Sequence, residues 1–166
     1  YDYSAQGFLG LISKSKFPEI NILLKKKSLL KIKNQIDNDQ KYYVPASLVV
    51  FENGSKNHFR AKIRKKGDRE LHYESFESMS FRINLKGDSR FRYLEKFSLQ
   101  KPIIRNYSWE YLIAKVMKNE KILTLNQGPV FLSLNGKKRG LYSYEEIPSK
   151  STIESQNRKS GPIFSI

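Results

Sequence analysis

The chain of 166 residues contains no cysteine. That excludes a disulfide scaffold, a thiolate zinc site and a cysteine nucleophile. No apolar run approaches the roughly 18–20 residues that a membrane-spanning helix needs, so no transmembrane segment is expected. Acidic residues are scarce, 16 against 31 Lys and Arg, which leaves a formal net charge of +15. Histidine is scarcer still: His58 and His72 lie far apart with no carboxylate at ligand spacing, and both read as surface residues. Neither a Walker A run nor a G-x-S-x-G elbow is present, so the common P-loop and hydrolase signatures are excluded.

What is present is enough for one domain with a core. The hydrophobic fraction of 39% and aromatic fraction of 13% rule out a disordered composition. The positive surplus fits a polyanion partner such as nucleic acid, a membrane surface or a phosphorylated ligand. It equally fits a Lys-, Asn- and Ile-rich background composition with no partner implied. The chain opens at Tyr1 rather than Met and shows no signal-peptide pattern, which reads as a processed or cut end. The compartment stays open.

Residues 1–17 read as a leading segment with a short apolar turn at Phe8-Leu9. Pro18 to Leu24 alternates as a strand does. Ser28 to Asp37 places Leu29, Ile32 and Ile36 on one face of a short helix, and Lys25-Lys26-Lys27 before it read as a solvated helix start. Tyr43 to Phe51 and Phe59 to Lys65 form a hairpin around Glu52-Asn53-Gly54-Ser55. In the second arm Phe59, Ala61 and Ile63 face inward against Arg60, Lys62 and Arg64. Gly67-Asp68 stops it, and Arg69 to Ser78 is a polar loop.

Met79 to Leu85 and Lys96 to Gln100 are further strands. Asn106 to Asn119 is the strongest helix, with Asn106 as N-cap and Trp109, Leu112, Ile113, Val116 and Met117 on a stripe expected to be buried. Pro129 to Leu134 and Gly140 to Ile147 flank an Asn135-Gly136 turn. Ser151 to Glu154 has capping-box spacing for a short helix, and Ile163-Phe164 is a last apolar piece. The expected class is α+β: mostly antiparallel sheet with two or three helices on one side. Asn53-Gly54-Ser55 and Asn106-Tyr107-Ser108 match a glycosylation pattern, but one is a hairpin turn and the other a helix start.

Three clusters carry candidate chemistry. In Arg64-Lys65-Lys66-Gly67-Asp68, a glycine after a basic strand lets backbone N–H groups approach a phosphate while Lys supplies charge; the competing reading is a plain strand end. In Ser80 to Leu85, Arg82 is a mid-strand cation that must point to solvent or meet an anion. Glu110, beside Trp109, complements the helix dipole or pairs with a cation on the sheet. Glu145 and Glu146 are adjacent on a strand and face opposite ways, so one at most lines a given pocket.

The order of these pieces carries a resemblance. Lys65-Lys66-Gly67-Asp68 is followed by Ser80-Phe81-Arg82-Ile83-Asn84-Leu85, then Phe97-Ser98-Leu99-Gln100 with Pro102 and Arg105, then the Trp109-Glu110 helix. Leu134-Asn135-Gly136, Gly140-Leu141-Tyr142, Glu145-Glu146, Lys150, Ile153-Glu154, Arg158 and Gly161-Pro162-Ile163 close the series. Together they resemble the CotH family of spore-coat-type atypical kinases, in its bacterial branch, over roughly residues 18–166. The resemblance implies the N-terminal lobe of an atypical protein-kinase-like fold, with the C-terminal lobe absent. It implies binding of ATP with Mg²⁺ and phosphoryl transfer to an unknown protein substrate. By position, Arg82 or Lys66 would be the cation on the phosphates, Glu110 the helix carboxylate that orients it, and Glu145-Glu146 would lie near the nucleotide base. The family's metal-holding Asp residues fall after the Gly-Pro-Ile segment, whereas the last Asp here is Asp88. The expectation is therefore an ATP-binding part that is catalytically incomplete by itself. The alternative is a non-catalytic basic module for a polyanion or an assembly partner, using Arg60, Lys62 and Arg64.

Overall fold

The computed structural model describes residues 17–38, 40–67, 75–105, 109–159 and 161. The Phe8-Leu9 turn, Asp68, most of the polar loop with His72, the Asn106 N-cap and Ile163-Phe164 lie outside the described residues.

Seven strands form one closed barrel. They are β1 (Glu19–Leu23), β2 (Val44–Glu52), β3 (Ser55–Lys65), β4 (Phe81–Leu85), β5 (Lys96–Gln100), β6 (Gln127–Leu134) and β7 (Lys137–Glu146). Around the barrel the order is β1-β2-β3-β4-β5-β7-β6. Among the described residues the helices are α1 (Lys26–Asp37), α2 (Trp109–Asn119) and the one-turn α3 (Lys150–Glu154), with a 3-10 turn at Pro102–Arg105.

Closure overturns the expected class, a mostly antiparallel sheet with two or three helices on one side resembling the N-terminal lobe of a kinase-like fold. The decisive strand is β1, which pairs antiparallel with β2 and parallel with β6, and so leaves neither edge free. Alternation reveals that Pro18 to Leu24 is a strand, but it carries no signal of which strands flank it. Asn135 is the clasp at this seam. Its Oδ1 accepts from Leu24 N–H at 2.7 Å and its Nδ2 donates to the Leu24 carbonyl at 3.1 Å. The Asn135 N–H donates to the Ile22 carbonyl at 2.8 Å. Asn135 (φ 48) and Gly136 (φ 79) both adopt the left-handed conformation that a two-residue hairpin turn needs. Asn tolerates that conformation while supplying the amide that seals the barrel.

The interior follows the strand period. Ile20, Ile22, Leu48, Val50, Ile63, Phe81, Ile83, Phe97, Leu99, Val130, Leu132 and Tyr142 belong to one buried core. Full burial of each large aliphatic side chain contributes on the order of 1.5–3 kcal/mol. α1 adds Ile32 to this core, with Leu29 and Ile36 partly buried against it. Gln35 ties the helix to the barrel, donating to the Tyr42 carbonyl at 2.7 Å and accepting from the Lys65 N–H at 2.9 Å.

Two local expectations also change. On α2 the buried residue is Ala114. Trp109, Leu112, Ile113 and Val116 are exposed at 49%, 37%, 52% and 61%. The stripe exists, but much of it stays exposed; periodicity marks a face that favours cover without supplying the cover. At α3 the capping position is Ser149, not Ser151, because Thr152 Oγ1 accepts from the Ser149 N–H at 3.0 Å. No helix among the described residues is long and apolar enough to cross a membrane.

Candidate functional site

Strand register sets the site. Phe81, Ile83 and Leu85 point into the barrel, so Arg82 and Asn84 point out. Residues directly opposite across a ladder share a face. Arg64 on β3 faces Arg82 on β4, Arg82 faces Ser98 on β5, Ser98 faces Glu145 on β7, and Glu145 faces Gln127 on β6. These five residues form one row across the outer surface. Beside it, Gln100 faces Ser143, and the Lys66 N–H donates to the Ser80 carbonyl at 3.0 Å.

This outer patch is buried. Ser80, Ser98 and Gln100 are 0%, 2% and 1% exposed. Buried polar groups have to be hydrogen-bonded to be tolerated, and Gln100 is the centre of that arrangement. Its Oε1 accepts from Lys66 Nζ at 2.5 Å, and its Nε2 donates to Glu145 Oε2 at 2.7 Å. Lys66 Nζ lies 3.9 Å from Glu145 Oε1. The amide therefore locks a cation and a carboxylate into fixed positions on the barrel wall. Gly67, directly after Lys66, has φ 86, a backbone conformation that side chains disfavour.

Arg82 Nε is buried and has no hydrogen-bond partner among the described residues. Across the ladder, Arg64 Nη1 donates to the Lys65 carbonyl at 2.9 Å, and its guanidinium lies 5.5 Å from the Tyr43 ring centre. Like charges directly opposite each other in a sheet are unfavourable. Among the described residues, Lys66, Arg64 and Arg82 share their stretch of surface with the carboxylate of Glu145.

The other expected residues occupy different positions. Glu110 sits in the first turn of α2, where its carbonyl accepts from Gln127 Nε2 at 3.0 Å. It is tied by its backbone to the end of the row. Glu146 faces the opposite way from Glu145, as strand geometry requires. It is 5% exposed and accepts from the Asn126 N–H at 3.0 Å, Asn126 Nδ2 at 2.7 Å and Thr152 Oγ1 at 2.8 Å. This carboxylate anchors α3 and the segment before β6 rather than lining the row.

Ser98 and Gln100 enter the sequence reading only within the Phe97-Ser98-Leu99-Gln100 run and not as site residues, although alternation against Phe97 and Leu99 puts both on the outer face. Lys65 was also missed as an inward residue. It is 0% exposed and stands directly opposite Phe81. The Phe59, Ala61, Ile63 alternation, carried two residues further, would have found it.

A second polar knot lies at the Arg92 turn. Arg92 Nε donates to Glu52 Oε1 at 2.6 Å and Nη1 donates to the Tyr144 hydroxyl at 2.8 Å. Burial opposes the Arg92 cation, but the bonds to Glu52 and Tyr144 outweigh it and raise its pKa. Burial also raises the Tyr144 phenol, against the pull of Arg92. Burial pushes the Tyr142 phenol up to about 12, with Arg139 drawing it the other way.

The residues of the row suit an anion better than a cation. Among the described residues no three His, Cys, Asp or Glu side chains gather as a metal site, and His58 is exposed. A polyphosphate would meet Arg82 and Lys66; a magnesium ion would meet Glu145, already engaged by Gln100. A scan against protein-family models gives no match, and a search of curated proteins gives none either.

Proposed function

We propose that this chain binds the phosphate groups of a nucleotide on the outer wall of its barrel, as the nucleotide-binding part of a CotH-like phosphotransferase. The observation that carries the reading is the buried, unsatisfied Arg82 Nε beside Arg64 and the fixed Lys66–Gln100–Glu145 array. An orphaned buried donor is costly unless something accepts from it. A phosphate oxygen is the acceptor that also offsets the repulsion between two guanidinium groups, and Arg binds phosphate in a forked geometry.

In this role Arg82 holds a phosphate oxygen by its Nε–H and one Nη–H. Lys66 supplies a second charge, held in place by Gln100 and restrained by Glu145. ATP with Mg²⁺ is the ligand that the CotH resemblance implies. Transfer of the phosphoryl group to a protein side chain belongs to the same proposal, but it requires carboxylates for the metal that this row does not gather among the described residues.

The test is calorimetric titration of ATP into the wild-type chain and into Arg82→Gln at low salt. The wild type should bind and the variant should lose about tenfold or more in affinity, the effect of removing a charge-assisted hydrogen bond. Equal affinity in the two proteins would remove Arg82 from the site and with it the observation on which the reading rests.

A further inference from the structure

A separate cavity of about 290 Å³ opens where the start of α1 meets β2 and β3. Lys25, Ser28, Ser47, Arg60 and Lys86 supply its polar lining, and no carboxylate lines it. Arg60 and Ser47 stand directly opposite each other in the β2–β3 ladder. The Lys86 N–H donates to the Arg60 carbonyl at 2.8 Å, which brings the third cation alongside. Arg60 is four residues from Arg64, roughly 13 Å along the strand, so this cavity is distinct from the row around Lys66.

The helix start here is unusual in its chemistry. Lys25 occupies the N-cap with no side-chain hydrogen bond, and the first turn of this 12-residue helix holds no acidic residue. The first helical bond runs from the Leu29 N–H to the Lys25 carbonyl at 2.9 Å, so the N–H groups of Lys26, Lys27 and Ser28 have no acceptor within the helix. Positive side chains at a positive helix end are unfavourable unless an anion joins them.

An independent feature points the same way. Ser28 lines the cavity at 6% exposure, yet its hydroxyl bonds to no described residue. Lys25, Arg60 and Lys86 are all exposed, and none forms an ion pair among the described residues. A mostly buried serine whose hydroxyl is without a partner among the described residues, helix N–H groups with no acceptor within the helix, and three cations with no ion pair among the described residues converge on one volume.

We propose that this cavity is a second anion site, built for the phosphate group of a small phosphomonoester. The first-turn N–H groups and the Ser28 hydroxyl donate to its oxygens, while Arg60 and Lys86 offset its charge. At this size the cavity accommodates the phosphate and a short organic part, not a whole nucleotide.

The test titrates inorganic phosphate and, separately, glycerol 3-phosphate into the full 166-residue chain at constant ionic strength, reading ³¹P shifts and melting temperature. Wild type should bind both saturably, and Arg60→Gln and Lys86→Gln should each weaken binding about tenfold. Ser28→Ala should weaken it less with the fold intact, and Lys159→Gln, an exposed cation outside both sites, should leave it unchanged. Phosphate acting no better than chloride at equal ionic strength would overturn the proposal. So would loss of phosphate binding in Lys66→Gln with wild-type binding in Arg60→Gln. Because Lys66→Gln belongs to the nucleotide row and Arg60→Gln does not, failure of either site is visible separately.

Discussion

Arg82 stands directly opposite Arg64 across the β3–β4 ladder, on the outer face of the barrel. Two guanidinium groups in that relation cost stability that the fold itself does not need. Replacing Arg82 with Gln should therefore leave the apo protein as stable as wild type, or more stable by roughly 0.2–1 kcal/mol. Urea unfolding measures this. A loss of several kcal/mol would mean that Arg82 is a structural residue.

The Asn135 clasp makes a separate prediction about closure. Asn135→Ala removes both side-chain bonds to Leu24 and places a β-carbon residue without that amide at φ 48. The expected cost is about 2–4 kcal/mol, from two lost hydrogen bonds and a strained backbone. Asn135→Gly keeps the turn conformation and should recover part of that loss. The measure is denaturant unfolding, together with amide exchange along β1. Unchanged exchange at Ile22 and Leu24 in the Ala variant would show that the seam is held elsewhere.

The exposed face of α2 gives a prediction opposite to the one its sequence suggests. Ile113→Ser or Val116→Ser should change stability by less than about 0.5 kcal/mol, as surface substitutions do. A buried stripe would instead lose about 2–4 kcal/mol per site. Thermal melting of the two variants separates these outcomes.

Alkaline titration probes the barrel interior. The Tyr142 hydroxyl donates to the Met79 carbonyl at 3.1 Å, and burial holds its pKa near 12 against about 10 in an unfolded chain. Below pH ~10 both states keep the proton and this group adds no slope. Between about 10 and 12 the unfolded chain releases it first, so stability falls as pH rises, by roughly 2–3 kcal/mol in all. Tyr142→Phe should lack this share of the alkaline loss. An identical alkaline profile in the variant would assign the loss to other groups.

Strand and helix positions were legible because alternation and turn chemistry are local. The Asn53-Gly54 and Asn135-Gly136 turns and the amphipathic face of α1 all stand where the residues suggest. Closure was not legible, because it depends on β1 meeting two partners far apart in the chain. The candidate site divides along the same line. Lys66 and Glu145 meet through Gln100, a residue whose type carries no chemical signal until the β5–β7 register places it between them. Glu145 and Glu146 read alike in sequence, yet one faces the row and the other anchors α3. The α2 stripe misled for a different reason: hydrophobic spacing reports a preference for burial, and burial also needs an opposing surface.

The most direct test of the central claim is the ¹⁵N–¹H signal of Arg82 Nε, assigned by its disappearance in Arg82→Gln. Addition of ATP should shift this signal saturably, and addition of adenosine, which lacks phosphate, should leave it in place. An Arg82 Nε–H signal unmoved by saturating ATP would contradict the account of this row as a nucleotide phosphate site.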